Sequence, residues 1–338
     1  MNYTADVMTE HYVRLAQNAP RAYSFRADQP LAPQQAALKE KYISLLRMPE
    51  PFSAPPKIEY TNTEHPDYDE IRFHMESEPG FFIPGHVLLP KGRKPGQKLP
   101  TVLCIQGHTA GQHVSMGRIK DEFRDYRSIY GTHEDFAVQC ISRGYAAVTM
   151  EQRAFGELQT KLPDASGCLA VAMQALLVGR TLLGERVYDI RRLVDTVSFF
   201  PELDCDRISI MGQSGGGTAV YHAAAIEPRI KSVLASGSFN RYDRSILPIH
   251  HCSCNYVPGM LEHFEMPDLA MLIAPRPLLI VCGRYDDIFP LEGVYEAFET
   301  AKQIYRAAGN EDACKMVIGE GGHQFYPDVA WPIFETMI

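Results

Sequence analysis

The stretch that decides the fold is Ile208-Ser209-Ile210-Met211-Gly212-Gln213-Ser214-Gly215-Gly216-Gly217. Its apolar beginning predicts a buried strand, and the pattern after it predicts a helix over 215–226. Between the two, the chain carries the pattern G-x-S-x-G centred on Ser214. Gly212 and Gly216 have no Cβ, so the strand and the helix can approach each other closely. We therefore predict that Ser214 lies on a sharp turn, with its hydroxyl pointing away from the sheet.

Ser214 in this position has the surroundings that a nucleophile needs. It would stand at a helix N-terminus, where free N–H groups and the helix dipole favour developing negative charge. The backbone N–H of Gly215, the next residue, is the natural first donor of an oxyanion hole. The alternative is an ordinary serine in a glycine-rich turn, and the strand–helix context favours the nucleophile.

The rest of the chain alternates between short apolar runs and helical patterns. The runs predict strands over 101–105, 144–150, 207–211, 230–235, 277–282 and 315–318. The helical patterns cover 132–143, 169–200, 215–226 and 292–308. Continuous apolar strands are typical of parallel sheets that are covered on both faces. The alternation therefore predicts an α/β fold with a doubly wound, mostly parallel sheet.

An antiparallel hairpin is predicted ahead of these strands. Ile71, Phe73 and Met75 alternate with polar residues, which is the period of a strand with one buried face. The dipeptide at 79–80, Pro-Gly, marks a turn, and 81–89 reads as the returning strand. We place the hairpin at the N-terminal side of the sheet.

The chain divides into an N-terminal helical extension, 1–56, and a catalytic domain, 57–338. The extension is predicted to break at Pro30 and Pro33 and to end in a proline-rich connector. Its helices either cover a face of the sheet or form a dimer contact, so a homo-oligomer is left open. Two insertions, 109–131 and 239–270, follow strand ends, where loops that line a site usually lie.

An acid and a base should follow Ser214 in that chain order. The strand 277–282 is followed by Asp286 and Asp287, and spacing alone leaves both open as the acid. His323 follows the last predicted strand and is the only histidine after the two aspartates. The acid would hold the imidazole in one tautomer and stabilise its protonated form.

A second oxyanion donor should come from the loop after 101–105. That loop begins Gln106-Gly107-His108-Thr109, and the glycine allows close approach to the nucleophile. The backbone N–H of either His108 or Thr109 is the candidate donor. The His108 imidazole either faces the pocket or has a purely structural role.

These motifs resemble the α/β-hydrolase superfamily, and more narrowly the bacterial acetyl-xylan-esterase-like and dienelactone-hydrolase-like esterases. The resemblance covers about 71–334 and rests on 81–90, 106–108, 179–184, 212–217, 274–277, 283–290 and 321–323. It implies an α/β-hydrolase fold with loop or cap insertions. In such enzymes the acid typically stands three residues after the glycine that ends its strand, and Gly283 then favours Asp286.

The implied activity is that of a serine hydrolase. It would cleave small carboxylic esters, with acetyl esters of sugars as one class, through a Ser-His-Asp acyl-enzyme mechanism without a cofactor. Two departures matter: many relatives have His-Gly in place of Gln106-Gly107, and dienelactone hydrolases proper use a cysteine in place of Ser214. The second departure favours simple esters. The alternatives are a thioesterase, a peptidase-type acyl hydrolase, or an inactive hydrolase fold used for binding.

Two further motifs have structural interpretations. His250, His251, Cys252 and Cys254 suggest a metal, but one residue between the cysteines is tighter than C-x₂₋₄-C, and no second pair is seen. We therefore predict a packed cap loop and no metal. Arg153 is predicted to brace its own loop by pairing with a nearby glutamate, Glu151 or Glu157.

Composition excludes several classes of protein. The 338 residues include 33 Lys+Arg and 41 Asp+Glu, for a net charge of −8, which argues against a nucleic-acid partner. No segment approaches the roughly 20 apolar residues of a membrane span. Residues 1–19 lack the apolar core of a secretory signal, and several of the 8 cysteines lie in apolar runs, as reduced thiols do. We predict a cytoplasmic enzyme whose partner is a small-molecule ester.

Overall fold

The computed structural model describes residues 6–118, 133–162 and 167–338. Within these residues, nine strands form one sheet. They are β1 (Lys57–Asn62), β2 (Tyr68–Glu78), β3 (Phe81–Pro90), β4 (Leu99–Ile105), β5 (Ala146–Met150), β6 (Leu203–Gln213), β7 (Ile230–Ser236), β8 (Leu278–Gly283) and β9 (Cys314–Gly319). All six predicted parallel strands are present, with ends shifted by a few residues.

The strand order is β1-β2-β3-β5-β4-β6-β7-β8-β9. Three neighbouring pairs are antiparallel: β1 with β2, β2 with β3, and β3 with β5. All the remaining neighbours in the sheet, from β5 to β9, are parallel. This confirms the doubly wound, mostly parallel sheet and its antiparallel hairpin. β6 lies near the middle, with Ile105 of β4 opposite Gly212 and Ser236 of β7 opposite Gln213. The ends of three strands therefore meet beside Ser214.

Helices cover both faces of this sheet. They are α1 (Val7–Gln17), α2 (Leu31–Leu46), α3 (Phe136–Ile141), α4 (Leu169–Leu177), α5 (Leu182–Val197), α6 (Gly215–Ala224), α7 (Met260–His263), α8 (Ala270–Ile273), α9 (Leu291–Ala307) and α10 (Pro327–Phe334). None of the helices in the described residues combines the length and the apolar character that a bilayer crossing requires.

Two predictions about the helices are wrong in detail. The predicted helix 169–200 is two helices, because Gly179 takes a left-handed φ of 82° and the Thr181 hydroxyl accepts the Gly184 N–H to cap α5. Pro33 does not break the N-terminal helix. It lies in the first turn of α2, where a missing N–H leaves no hydrogen bond unmade, and Pro30 is the N-cap.

The N-terminal segment packs into the main hydrophobic core. Leu38, Tyr42 and Leu46 of α2 have no exposed surface. The Tyr42 hydroxyl lies 2.6 Å from Nδ1 of His222 on α6, and the Leu46 carbonyl accepts the Thr181 hydroxyl at 2.6 Å. The extension therefore covers helices of the domain that holds Ser214, while the division at residue 56 stays a prediction.

Both predicted insertions follow strand ends. The segment 239–270 comes after β7 and forms a packed cap of short helices, including α7. The segment 109–131 comes after β4, and its first part includes a short 3₁₀ helix over Gln112–Met116. Residues 119–131 of that insertion lie outside the described residues.

Candidate active site

Ser214 lies on a tight turn between β6 and α6. Its backbone has φ 55° and ψ −123°, a conformation that a residue with a side chain rarely adopts. The Ser214 N–H donates to the Ser236 carbonyl at 2.8 Å and holds the turn against β7. A Cβ at Gly216 would lie 2.2 Å from the Ile105 carbonyl oxygen, and one at Gly212 would lie 2.6 Å from Gly216. The glycine spacing therefore serves the close packing that the sequence predicts.

His323 bridges Ser214 and Asp286. Its Nε2 lies 2.8 Å from the Ser214 Oγ, and its Nδ1 lies 2.7 Å from Asp286 Oδ2. Asp286 and His323 are both buried. They follow β8 and β9, which end at the same edge of the sheet as β6. The structure thus brings together the three residues that the sequence picked out as nucleophile, base and acid.

Asp286 and Asp287 differ sharply in their surroundings. The second oxygen of Asp286 accepts the N–H groups of Ile288 and Phe289, at 3.0 and 2.9 Å. Burial alone would raise the pKa of Asp286, but the hydrogen bond and charge interaction with His323 outweigh it and hold that pKa below its usual range. Asp287 is exposed to solvent. Only Asp286 is placed to orient the imidazole.

The loop after β4 passes directly beside Ser214. A Cβ at Gly107 would lie 3.2 Å from the Ser214 Cβ. The Thr109 N–H donates to the Gly107 carbonyl at 2.9 Å, so it is already engaged. Of the two predicted second donors, this geometry favours the N–H of His108. Together with the N–H of Gly215, it would form the oxyanion hole.

Three buried polar side chains hold this loop in place, and the sequence did not identify them. The Gln106 side chain donates to Glu151 at 3.1 Å, and the Gln106 backbone carbonyl accepts the Gln152 side chain at 2.6 Å. The Gly107 N–H donates to Glu134 at 3.3 Å. Gln106 therefore has an anchoring role in this loop. Gln106 follows β4, and Glu151 and Gln152 follow β5, so the adjacency of these two strands was the available signal for the contacts among them.

The ring of His323 stacks against an aromatic ring. The Phe289 ring lies 5.7 Å from the His323 ring and nearly parallel to it, and the His251 ring meets Phe289 edge-on at 5.0 Å. Burial lowers the pKa of His251 to about 4, so this ring is neutral. Its Nε2 lies 3.0 Å from the Ser245 hydroxyl and 3.1 Å from the Ile288 carbonyl. His251 therefore braces the segment that carries Asp286.

The imidazole of His108 lies close to three thiols. Its Nε2 lies 3.5 Å from Cys254 Sγ and 3.9 Å from Cys168 Sγ. These atoms and Cys252 Sγ all lie within 4.8 Å of one another. The sequence shows no second pair of ligands for Cys252 and Cys254, whereas the fold places His108 and Cys168 beside them. His108 and Cys254 are 146 residues apart, and only the folded sheet brings them together.

Arg153 braces its loop, but not through the predicted partners. Its guanidinium bonds both oxygens of Asp189, at 2.8 and 2.9 Å, and also pairs with Glu78 and Glu185. The partners lie on β2 and α5 and not within the Arg153 loop. The bracing interpretation stands, whereas the choice of Glu151 or Glu157 as partner is wrong.

The sequence matches the Abhydrolase family over residues 13–307. The chain belongs to this family. It is also 27% identical over 253 residues to "Putative hydrolase YtaP" of Bacillus subtilis (strain 168), which covers 73% of this chain and 78% of that protein. Membership and the sheet topology confirm the predicted α/β-hydrolase fold and place the chain among hydrolases.

Solved structures of similar fold carry esterase names. One is named "putative acetyl xylan esterase" from Bacteroides fragilis NCTC 9343, with a TM-score of 0.80, 17% identity and coverage of 99% of this chain and 96% of that one. Another is a glucuronoyl esterase from Solibacter usitatus, with a TM-score of 0.68, 14% identity and coverage of 95% and 97%. At these identities the likeness is one of fold.

Proposed function

We propose that this chain is a serine esterase that cleaves small carboxylic esters through an acyl-enzyme at Ser214. One observation carries the proposal: the His323 ring joins the Ser214 Oγ to Asp286, at 2.8 and 2.7 Å. The buried Asp286 and His323 and the partly buried Ser214 form a chain of two hydrogen bonds, which the fold by itself does not require. Their arrangement is the one that activates a hydroxyl for attack on a carbonyl.

The first half of the reaction forms the acyl-enzyme. The Ser214 Oγ attacks the ester carbonyl carbon while its proton passes to Nε2 of His323. Asp286 stabilises the imidazolium that results, since its carboxylate stays ionised opposite Nδ1. The carbonyl oxygen becomes an oxyanion between the backbone N–H groups of Gly215 and His108. The bond to the alcohol then breaks, and the alcohol leaves with the proton from His323.

The second half regenerates the free hydroxyl. Water attacks the acyl carbonyl and gives a proton to His323, the second tetrahedral intermediate collapses, and Ser214 recovers its proton as the carboxylic acid departs. The two half-reactions balance in atoms and charge without a redox partner or an external cofactor.

Acetyl esters of sugars are the proposed substrate class. The fold neighbours that bear the names acetyl xylan esterase and glucuronoyl esterase support an ester of a carbohydrate. Ser214, in place of cysteine, supports simple esters over a dienelactone. The second candidate activities, thioester and peptide hydrolysis, use the same three groups and differ only in the leaving group.

Covalent labelling tests the proposal. We expect a fluorophosphonate probe to label the wild-type chain, and Ser214→Ala to abolish both labelling and turnover of a short-chain nitrophenyl ester. A panel of acetylated sugars, aryl esters, thioesters and peptide amides then ranks kcat/KM by leaving group. Wild-type labelling and turnover that persist in Ser214→Ala would refute the role of Ser214. A folded wild-type chain that neither labels nor turns over would favour a binding protein.

A further inference from the structure

Three cysteines and one histidine converge beside the proposed oxyanion hole. Cys168 precedes α4, Cys252 and Cys254 belong to the cap segment 239–270, and His108 belongs to the loop after β4. Cys168 and Cys254 are buried, and Cys252 and His108 are partly buried. Three separate parts of the chain thus direct soft donor atoms toward one point.

The spacing of these donors matches a tetrahedral zinc site. Bonds of about 2.3 Å to sulfur and about 2.0 Å to nitrogen, arranged as a tetrahedron, place nitrogen and sulfur roughly 3.5 Å apart. The observed separations from His108 Nε2 are 3.5 Å to Cys254 and 3.9 Å to Cys168. All four donors lie within 4.8 Å of one another, so small side-chain movements would complete the geometry.

Arg186 supplies a second and independent observation. This arginine is 1% exposed, and its guanidinium lies 3.3 Å from Cys168 Sγ. Arg186 also donates to the Arg153 carbonyl, at 2.7 Å, and lies over the face of the Phe155 ring. Across residues 6–118, 133–162 and 167–338, no carboxylate lies within ion-pair distance of Arg186. A buried guanidinium needs a counter-charge, and the thiols are the groups positioned to supply one.

We propose that His108, Cys168, Cys252 and Cys254 bind one Zn²⁺ ion. Binding displaces the three thiol protons to solvent, and neutral His108 donates through Nε2. The charge of the bound group is 2 − 3 = −1, which the single charge of Arg186 balances. Four protein ligands fill the tetrahedron, as in structural zinc sites, so no position is left open for water or substrate.

The ion would also hold the oxyanion loop. His108 would be a zinc ligand through its side chain while its backbone N–H faces the oxyanion, and its ring already contacts Gly215. This consequence rests on the proposed function, whereas metal binding itself does not. Zinc would position the loop and take no part in the bond changes, so His108 acts as a positioning residue through its side chain.

Metal analysis of the full chain tests the site. We expect about one zinc per chain after purification under reducing conditions from zinc-supplemented medium. Replacement of zinc by Co²⁺ should produce the thiolate-to-cobalt charge-transfer band and the visible bands of a tetrahedral site. Cys168→Ser, Cys252→Ser and Cys254→Ser should each lose most of the bound metal and these bands.

Cysteines elsewhere in the fold provide matched controls. Cys205→Ser removes an exposed thiol, and Cys140→Ser removes a buried thiol that contacts only Cys104 among the cysteines that the structure describes. Both variants should keep one zinc per chain. Ser214→Ala should also keep its zinc, which separates failure of the metal site from failure of the esterase proposal.

Removal of zinc by a mercurial or a chelator should lower the melting temperature. It should also lower kcat up to about 10²-fold with a smaller change in KM, as expected when one oxyanion donor is misplaced. Readdition of zinc under reducing conditions should restore both. Absence of zinc and of the cobalt bands in folded wild-type protein would overturn the proposal. A disulfide between Cys168 and Cys252 in freshly reduced, zinc-exposed protein would overturn it as well.

Discussion

The ring of His108 lies directly against the backbone of Gly215. A Cβ added to Gly215 would come within 2.8 Å of Cε1 and 2.9 Å of Nδ1 of that ring. These residues supply the two backbone N–H groups proposed to hold the oxyanion. A side chain at position 215 would therefore require the His108 ring to shift.

Gly215→Ala should lower kcat on the order of 10²-fold, because the new methyl group pushes the His108 loop away and weakens one oxyanion donor. Steady-state kinetics with a nitrophenyl ester measures the effect, and KM should change less than kcat. Gly80→Ala is the control. Its added Cβ meets no atom within 4 Å, although its φ of 80° makes alanine unfavourable, so it should lower stability and keep kcat. Equal rates for Gly215→Ala and wild type would refute this placement of the donors.

Asp286→Asn should reduce kcat by about 10⁴-fold, since an amide cannot stabilise the imidazolium and permits the wrong tautomer. Asp287→Asn is the matched variant one residue away, and its exposed side chain should leave kcat within about twofold of wild type. Burst and steady-state measurements with one ester compare the two directly. If the larger loss followed Asp287→Asn, the assignment of the acid would be reversed.

His222 should make the protein sensitive to acid. Burial lowers its pKa to about 3, so the folded chain keeps this histidine neutral while the unfolded chain protonates it below about pH 6.5. The unfolded state then binds the extra proton, and stability falls as the pH drops from 6.5 toward 3. The loss from His222 should reach about 2 kcal/mol at pH 5 relative to pH 7.

Urea unfolding of wild type and His222→Gln at both pH values measures this contribution. The variant loses the hydrogen bond to Tyr42 and should be less stable at pH 7, but it should show the smaller decrease in free energy of unfolding between the two pH values. The readout is that difference, so a general loss of stability does not obscure it. The same decrease in both proteins would contradict the neutral assignment.

Leu46→Ala should destabilise the whole domain, because Leu46 has no exposed surface and belongs to the main core. The expected cost is about 2–5 kcal/mol for a large buried side chain cut to alanine. Ile43→Ala, on the same helix at 38% exposure, should cost less than about 1 kcal/mol. Chemical denaturation followed by circular dichroism tests both. A single transition that shifts with Leu46→Ala would show that α2 unfolds together with the sheet, whereas no shift would show that it does not.

The parts of the site that obey local rules could be predicted from the sequence. The elbow at Ser214 needs small residues at fixed positions, so its spacing carries the information. Asp286 was separable from Asp287 only by the resemblance, because exposure and backbone hydrogen bonds depend on the folded turn. Pro33 was misjudged since its effect depends on whether it falls inside a helix or in its first turn.

The contacts that depend on tertiary structure could not be predicted. Cys168 and His108 carry no local mark that connects them with Cys252 and Cys254, and C-x-C alone falls short of a metal motif. Arg153 likewise bonds Asp189 on α5 and not a glutamate in its own loop. Such partners depend on how the strands and helices pack against one another, and the periodicity of the sequence carries no information about that packing.

Ser214 and His323 stand 109 residues apart, and their contact spans β6, β7, β8 and β9. Turnover can therefore serve as a sensor of long-range order. Detachment of the edge strand β9 would silence the enzyme even while most of the helical signal survives, whereas fraying of α1 would leave it active. During refolding, recovery of catalysis should lag behind recovery of helix content, because catalysis requires that β9 has paired with β8.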